Sequence, residues 1–140
     1  MQTLSVILDT NVFVAAGFNR KSASAQILAA IRDGQLLLVW NEETRIETRR
    51  ILSRIPPLSW SAVEPLFAEE GGFDGETRPE EFAMIRDPDD RKFAALAAAT
   101  GAVLVTSDDH LLAHRDHFGS GISTPGEFLR RYPQLAIGDS

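Results

Sequence analysis

The sequence predicts an α/β protein: a three-layer α/β/α sandwich around a parallel sheet. Two observations carry that prediction. Short, continuously apolar runs recur at Leu4–Leu8, at Gln35–Trp40 and in "AVLVTSDD", and unbroken runs of this kind are how strands buried on both faces read. Helical patterns fill the intervals between them, and strands alternating with helices imply right-handed crossovers and helices on both faces of the sheet.

Taken in order, Leu4–Leu8 is the first strand, and Asp9 to Asn11 form the turn after it. Ser22–Arg32 is a helix: Ala25, Leu28, Ala29 and Arg32 share a face, Ser22 can cap it and Gly34 stops it. After the second strand, Asn41 can cap a helix that runs to about Ser53, and Pro56-Pro57 ends it. Ser61–Glu70 reads as a helix with Val63, Leu66 and Phe67 on one side, and "GGFDGETRPEEF" reads as loop. "DPDD" opens a helix over Asp90–Thr100, ended by Gly101. The third strand follows, then a short helix at Asp109–Arg115.

A chain of 140 residues suits one domain. The expected boundaries are 1–135, with a frayed tail at 136–140. Cysteine is absent, which excludes disulfides, thiolate metal sites and cysteine nucleophiles and fits a cytoplasmic location. No apolar run is long enough to span a membrane, and the N-terminus reads as a strand and not as a signal peptide. The net charge of −6 argues against coating nucleic acid by bulk charge, though not against a local basic patch or bound cations.

In such sheets ligands bind at the carboxyl ends of the strands, and acids gather there. Asp9 follows the first strand, and Asp108 and Asp109 follow the third. Glu42, Glu43 and Glu47 lie in the first turns of the helix after the second strand, and Asp87, Asp89 and Asp90 open the helix that feeds the third. Each position has a plain structural reading as well. Asp9 can be a turn residue, "DPDD" is a good helix start, Ser107 can cap a helix that Asp108 and Asp109 decorate, and Glu42 and Glu43 suit a helix dipole. Glu47 lies a turn beyond Glu43, where capping no longer explains it but a solvated face does. Carboxylates collected at one edge repel one another and raise at least one pKa, and a divalent cation is the economical remedy. Oxygen ligands without cysteine or histidine select Mg2+ or Mn2+, which keep waters and leave room for a phosphate oxygen.

The same helix carries Arg45, Arg49, Arg50 and Arg54. Pairs spaced by four stack on one another, as a phosphate-contacting stripe or as a salt-bridged exposed face. His110, His114 and His117 recur at helical spacing, but "HLLAH" lacks the glutamate of a zinc-protease pair. Trp40, Trp60 and the phenylalanines read as core.

Together these residues resemble the PIN-domain family of metal-dependent nucleases. "VILDTNVFVAA" is similar to the family's opening strand with its first metal acid, Asp9. "IETRRILSR" resembles the helix carrying the second, which falls on Glu47. "DPDDRKFAALAAATGAVLVTSDDHLL" resembles the stretch that carries the third at Asp90 and the fourth at Asp108, and "ISTPGEFL" resembles the closing strand and helix. The resemblance implies catalytic, metal-binding roles for Asp9, Glu47, Asp90 and Asp108 and Mg2+- or Mn2+-dependent cleavage of single-stranded RNA. By that analogy Asn11, Thr106 and Ser107 are candidates to orient ligands, and Asp87 and Asp109 are auxiliary acids. Arg45, Arg49 and Arg50 become candidates to contact RNA. Small stand-alone members resemble VapC-type toxins of type II toxin–antitoxin pairs, which implies an RNA substrate, a small antitoxin partner and a homodimer. Two other classes remain as alternatives. One is a phosphotransferase of the haloacid-dehalogenase kind with Asp9 as nucleophile, although Asn11 stands where that motif wants a second aspartate. The other is a catalytically silent interaction module.

Overall fold

The computed structural model describes residues 3–117 and 121–135. The expected frayed tail at 136–140 lies outside the described residues. The sheet has four strands, β1 (Leu4–Leu8), β2 (Leu36–Leu38), β3 (Val103–Val105) and β4 (Ile122–Ser123), in the order β2-β1-β3-β4. Every pairing is parallel, with Val6 opposite both Leu38 and Val103, and Leu104 opposite Ile122. Helices cover both faces, as the sequence predicts. They are α1 (Thr10–Phe18), α2 (Ala23–Arg32), α3 (Glu42–Leu52), α4 (Arg91–Thr100), α5 (Asp109–Leu112) and α6 (Pro125–Arg131).

Alternation along the strands divides the core in two, because successive side chains point to opposite faces. Val6, Leu8, Leu36, Leu38 and Val105 pack with Val12 and Phe13 of α1, Ile27 and Ile31 of α2, Leu52 of α3 and Phe128 of α6. Ile7, Leu104 and Ile122 pack on the other side with Phe93, Leu96 and Ala97 of α4, Leu111 of α5 and Ile85. The helix termini use the signals expected of them. Ser22 accepts from the Ala25 N–H, Asn41 and Thr44 form a reciprocal capping box, and Gly101 closes α4 with a left-handed φ of 76°. Among the described residues no helix is long and apolar enough to cross a membrane.

Several local readings change. The turn expected at Asp9–Asn11 is the start of α1, a helix the sequence reading does not contain. Val12, Phe13 and Ala16 of that helix are buried, and its few polar residues leave little contrast between faces. The helix expected at Ser61–Glu70 is a series of single 3-10 turns at Trp60–Ala62, Glu64–Leu66 and Glu69–Gly71. Pro65 has no N–H to donate and so cannot extend the turn before it. The second strand is shorter than expected. Trp40 lies beyond β2, where it forms an isolated bridge with Gly72 and donates its indole N–H to Ala68 O at 2.8 Å. Asp90 closes a 3-10 turn, Pro88–Asp90, one residue before α4 begins. The helix at Asp109 ends at Leu112, and a 3-10 turn at Arg115–His117 follows.

Candidate metal centre

The centre is built at the carboxyl ends of β1 and β3. The Asp9 N–H donates to Val105 O at 3.1 Å, which carries the β1–β3 pairing one residue past β1. Asp9 then starts α1 with extended backbone angles, yet its side chain makes no capping bond. Its Oδ2 instead accepts a 2.7 Å hydrogen bond from the Thr106 hydroxyl, buried on both sides. The same hydroxyl oxygen accepts the Asp108 N–H at 3.0 Å, while the Thr106 N–H donates to Ser123 O at 2.9 Å. One threonine therefore links the Asp9 side chain to the Asp108 backbone and is itself held by β4. Asp108 caps α5 by accepting the His110 N–H at 2.7 Å.

Asp90 completes the group from the 3-10 turn that leads into α4. Asp90, Asp108 and His110 each offer a ligand atom, and these atoms lie within 4.8 Å of one another. Asp90 is buried, and among the described residues its Oδ2 has no hydrogen-bond partner. Burial, reinforced by the charges of Asp108 and Asp9, pushes its carboxyl up to about 8. Burial also raises Asp9, and Asp108 adds to that, while the Thr106 hydrogen bond opposes it. A buried carboxylate oxygen without a donor is costly. A divalent cation relieves that cost, and carboxylate oxygens beside one histidine offer donors for such an ion. The residues present fit such an ion.

Glu47 has a different environment. It is buried on α3, and its Oε1 accepts from Arg50 Nη2 at 2.7 Å and from Lys92 Nζ at 3.1 Å. Burial alone would raise its carboxyl, but the two cations outweigh burial and hold it below the usual glutamate value. It connects to Asp9 through its neighbour in sequence: Thr48 Oγ1 lies 3.0 Å from Thr10 Oγ1, both buried. Of the four acids, Asp9 and Asp90 are thus raised by burial with the charge of Asp108 adding to it, and Glu47 is already neutralised by side chains.

The remaining candidates scatter. Asn11 and Ser107 are exposed, and Asp109 is an exposed acid in the first turn of α5. Asp87 accepts the Asp89 N–H at 3.0 Å as a cap, and its charge bears weakly on Asp90. Arg45 reaches away to Glu64 at 3.5 Å and stacks 5.2 Å from the Trp60 ring centroid. Arg50 serves Glu47, and Arg49 is exposed with no ion pair among the described residues. Sequence reasoning missed two participants. His110 was set aside with the zinc pattern, and only its place beside an N-capping Asp108 hints at its role. Lys92 stands 45 residues from Glu47, with no local signal to join them. A cavity of about 540 Å³ between α1, α2 and the 57–63 segment contains none of these acids.

A family model described as PIN domain matches residues 5–110 of the chain. No curated protein matches it significantly. Among solved structures, the crystal structure of PAE2754 from Pyrobaculum aerophilum is similar, with a TM-score of 0.52 and 18% sequence identity. That similarity covers 96% of this chain and 100% of the other, and it is a similarity of fold.

Proposed function

The chain belongs to the PIN-domain family, whose members are generally metal-dependent nucleases, and from that premise we propose that it is a Mg2+- or Mn2+-dependent endoribonuclease. It hydrolyses phosphodiester bonds in single-stranded RNA and serves as the toxin of a toxin–antitoxin pair in the cytoplasm. The observation that carries the reading is the Asp90 carboxylate. It is buried, has one oxygen without a donor, and is raised to about 8 beside Asp108 and Asp9. A structural acid would have its donors; this one has ligand atoms of Asp108 and His110 as neighbours.

Asp9, Asp90 and Asp108 would hold the ion, with His110 at the edge. When bound, the ion neutralises these acids, lowers the pKa of water and offsets charge that develops on the phosphoryl oxygens. The rest of the work belongs to the side chains. The Thr106 hydroxyl holds one Asp9 oxygen in place. The Asp108 carboxylate is turned by its bond to the His110 N–H. Asp90 must lose its proton before it can act as a ligand, which ties competence to pH. Arg49, exposed one turn past Arg45, is the freest of the candidate arginines to meet a phosphate backbone.

The toxin role, a homodimer and an antitoxin partner rest on the resemblance to small stand-alone family members, and the absence of cysteine supports the cytoplasmic assignment. The test has three arms. Melting temperature is followed as Mn2+ or Mg2+ is added, cleavage of labelled single-stranded RNA is compared with single-stranded DNA and with duplex, and light scattering reads the oligomeric state. Metal-dependent cutting of single-stranded RNA, abolished by chelator and by Asp9→Asn, is the expected result. Failure of any divalent ion to stabilise the protein would return the acids to a purely structural role.

A further inference from the structure

Helix α2 has a second apolar face that the metal centre does not use. Ile27, Ala30 and Ile31 pack into the core, while Ala25, Leu28, Ala29 and Arg32 line the cavity of about 540 Å³ shared with α1 and the 57–63 segment. That volume is in the range of small-molecule sites. The floor of the cavity is core, since Phe13, Leu28, Leu52 and Val63 are buried. Small residues leave it open: alanine stands at positions 16, 25 and 29, and a Cβ at Gly17 would run into the Leu58 side chain that forms the opposite wall. The rim carries one sign of charge. Arg32 ends α2, Arg20 follows α1 by two residues, and both are exposed. No carboxylate among the described residues lines the cavity, and the arginine ion pairs fall elsewhere, on Arg45, Arg50, Arg78 and Arg115. In a chain of net charge −6, two arginines without acids above an apolar hollow form a local positive site.

We propose that this cavity binds a small amphiphilic carboxylate of the medium-chain fatty-acid class, its tail on the floor between α1 and α2 and its carboxylate at Arg20 and Arg32. Each part of the site selects one part of the ligand. The apolar floor gains from burying methylene groups and leaves hydroxyls without partners, so it favours an alkyl tail over a sugar. The guanidinium fork matches a carboxylate with two parallel hydrogen bonds and repels a cation. From Ala25 to Arg32 the helix rises about 10 Å, so the tail lies along α2 and the head group reaches the rim. None of the acids of the metal centre lines the cavity, and the proposal stands independently of the nuclease reading.

The test is titration calorimetry of the full chain with decanoate, below the concentration at which it forms micelles and with chelator present. One decanoate is expected to bind per chain, decanol about tenfold more weakly, and decylammonium not at all. Arg20→Gln combined with Arg32→Gln is expected to weaken decanoate about tenfold, as two exposed pairs are lost, and to leave decanol unchanged. Ala29→Leu fills the hollow and is expected to weaken both by at least tenfold. Circular dichroism checks the fold of each variant. Ala62→Leu, on the exposed side of the cavity, replaces Ala29→Leu if that chain does not fold, and the arginine variant on the rim decides if neither does. No decanoate binding by the wild-type chain overturns the proposal. Decanol binding as tightly as decanoate overturns it too, as does decanoate binding undiminished in a folded cavity-filling variant or in the arginine variant. Light scattering covers one other occupant: a wild-type dimer that Ala29→Leu dissolves would show that a second copy of the chain fills the cavity, and would equally overturn it.

Discussion

The Thr106 hydroxyl donates to Asp9 Oδ2 at 2.7 Å while its oxygen receives the Asp108 N–H at 3.0 Å. One buried side chain from β3's end thus orients an acid on β1 and the turn that presents another. Thr106→Val keeps the shape and removes both bonds. It leaves the buried Asp9 oxygen without its donor and the Asp108 N–H without its acceptor, at a cost of about 1–3 kcal/mol each. Mn2+ affinity is expected to fall by about 10- to 100-fold, as it does when ligand-orienting partners are lost. Thr106→Ser is expected to retain most of both. Urea unfolding and titration calorimetry read the two quantities separately.

The metal-free protein is expected to lose stability as pH rises from about 4 to about 8, the interval between the ordinary aspartate value of 3.8 and the raised Asp90. Within that interval the folded chain holds a proton that the unfolded chain has released. The contribution is therefore complete below the unfolded value and gone above the folded one. Glu47 runs the other way: its stabilisation is lost as pH falls from 4.5 through its lowered value, so it does not mask the trend above about pH 5. Denaturant midpoints across this range test the slope, and saturating Mn2+ is expected to flatten it. A flat metal-free profile would mean that Asp90 titrates as a normal carboxyl.

Asp90→Asn removes that same titration. Cleavage is expected to be abolished at every pH, because the proposed metal ligand is gone. Stability at about pH 5, where the native carboxyl is already protonated, is expected to change little, within about 1 kcal/mol for a substitution close in shape. At about pH 9 the variant is expected to be more stable than wild type in the absence of metal. Thermal melts of the two chains at both pH values give the comparison.

Glu47→Gln leaves Lys92 and Arg50 facing a neutral amide. Breaking a buried pair from one side costs about 3–5 kcal/mol, and the partial exposure of Lys92 and Arg50 puts this site at the low end. Glu42→Gln and Glu43→Gln, exposed in the first turn of α3, are expected to cost about 0.3–1 kcal/mol through the helix dipole. Equal, small effects at all three positions would show that the Glu47 pairing carries no weight in the fold.

Arg49→Ala is expected to weaken single-stranded RNA binding and to flatten its salt dependence by about one counterion, with stability unchanged within about 0.5 kcal/mol. Arg45→Ala is expected to do the reverse, losing stability with its Glu64 and Trp60 contacts while binding is little affected. Fluorescence anisotropy over a salt series separates the two.

What could be seen in the sequence follows the range of the interactions. The strands and α2, α3 and α4 were legible because apolar runs and caps are written within a few residues of each other. Helix α1 was not, because a helix buried by the sheet on one side and packed by α2 and α3 around it has little polar contrast to show its period. Asp9 and Asp108 stood out as acids at strand ends. The state of Glu47 was legible only in part, since Arg50 stands three residues on in the same helix but its second partner, Lys92, arrives from another helix 45 residues on. His110 reads as helix surface until α5 turns it beside Asp90.

The pairing of β1 with β3, the sheet's central contact, has a consequence in time. Asp9 and Thr106 are separated by 97 residues of chain, and β1 must wait for β3 before either acid has its neighbour. Closing so long a loop comes late in folding, since its entropy is lost before the contacts form. No fragment that stops short of Asp108 contains the centre. A metal-dependent nuclease assembled this way is inert while the first hundred or so residues are being synthesised, and its centre closes only once Thr106 and Asp108 have been made.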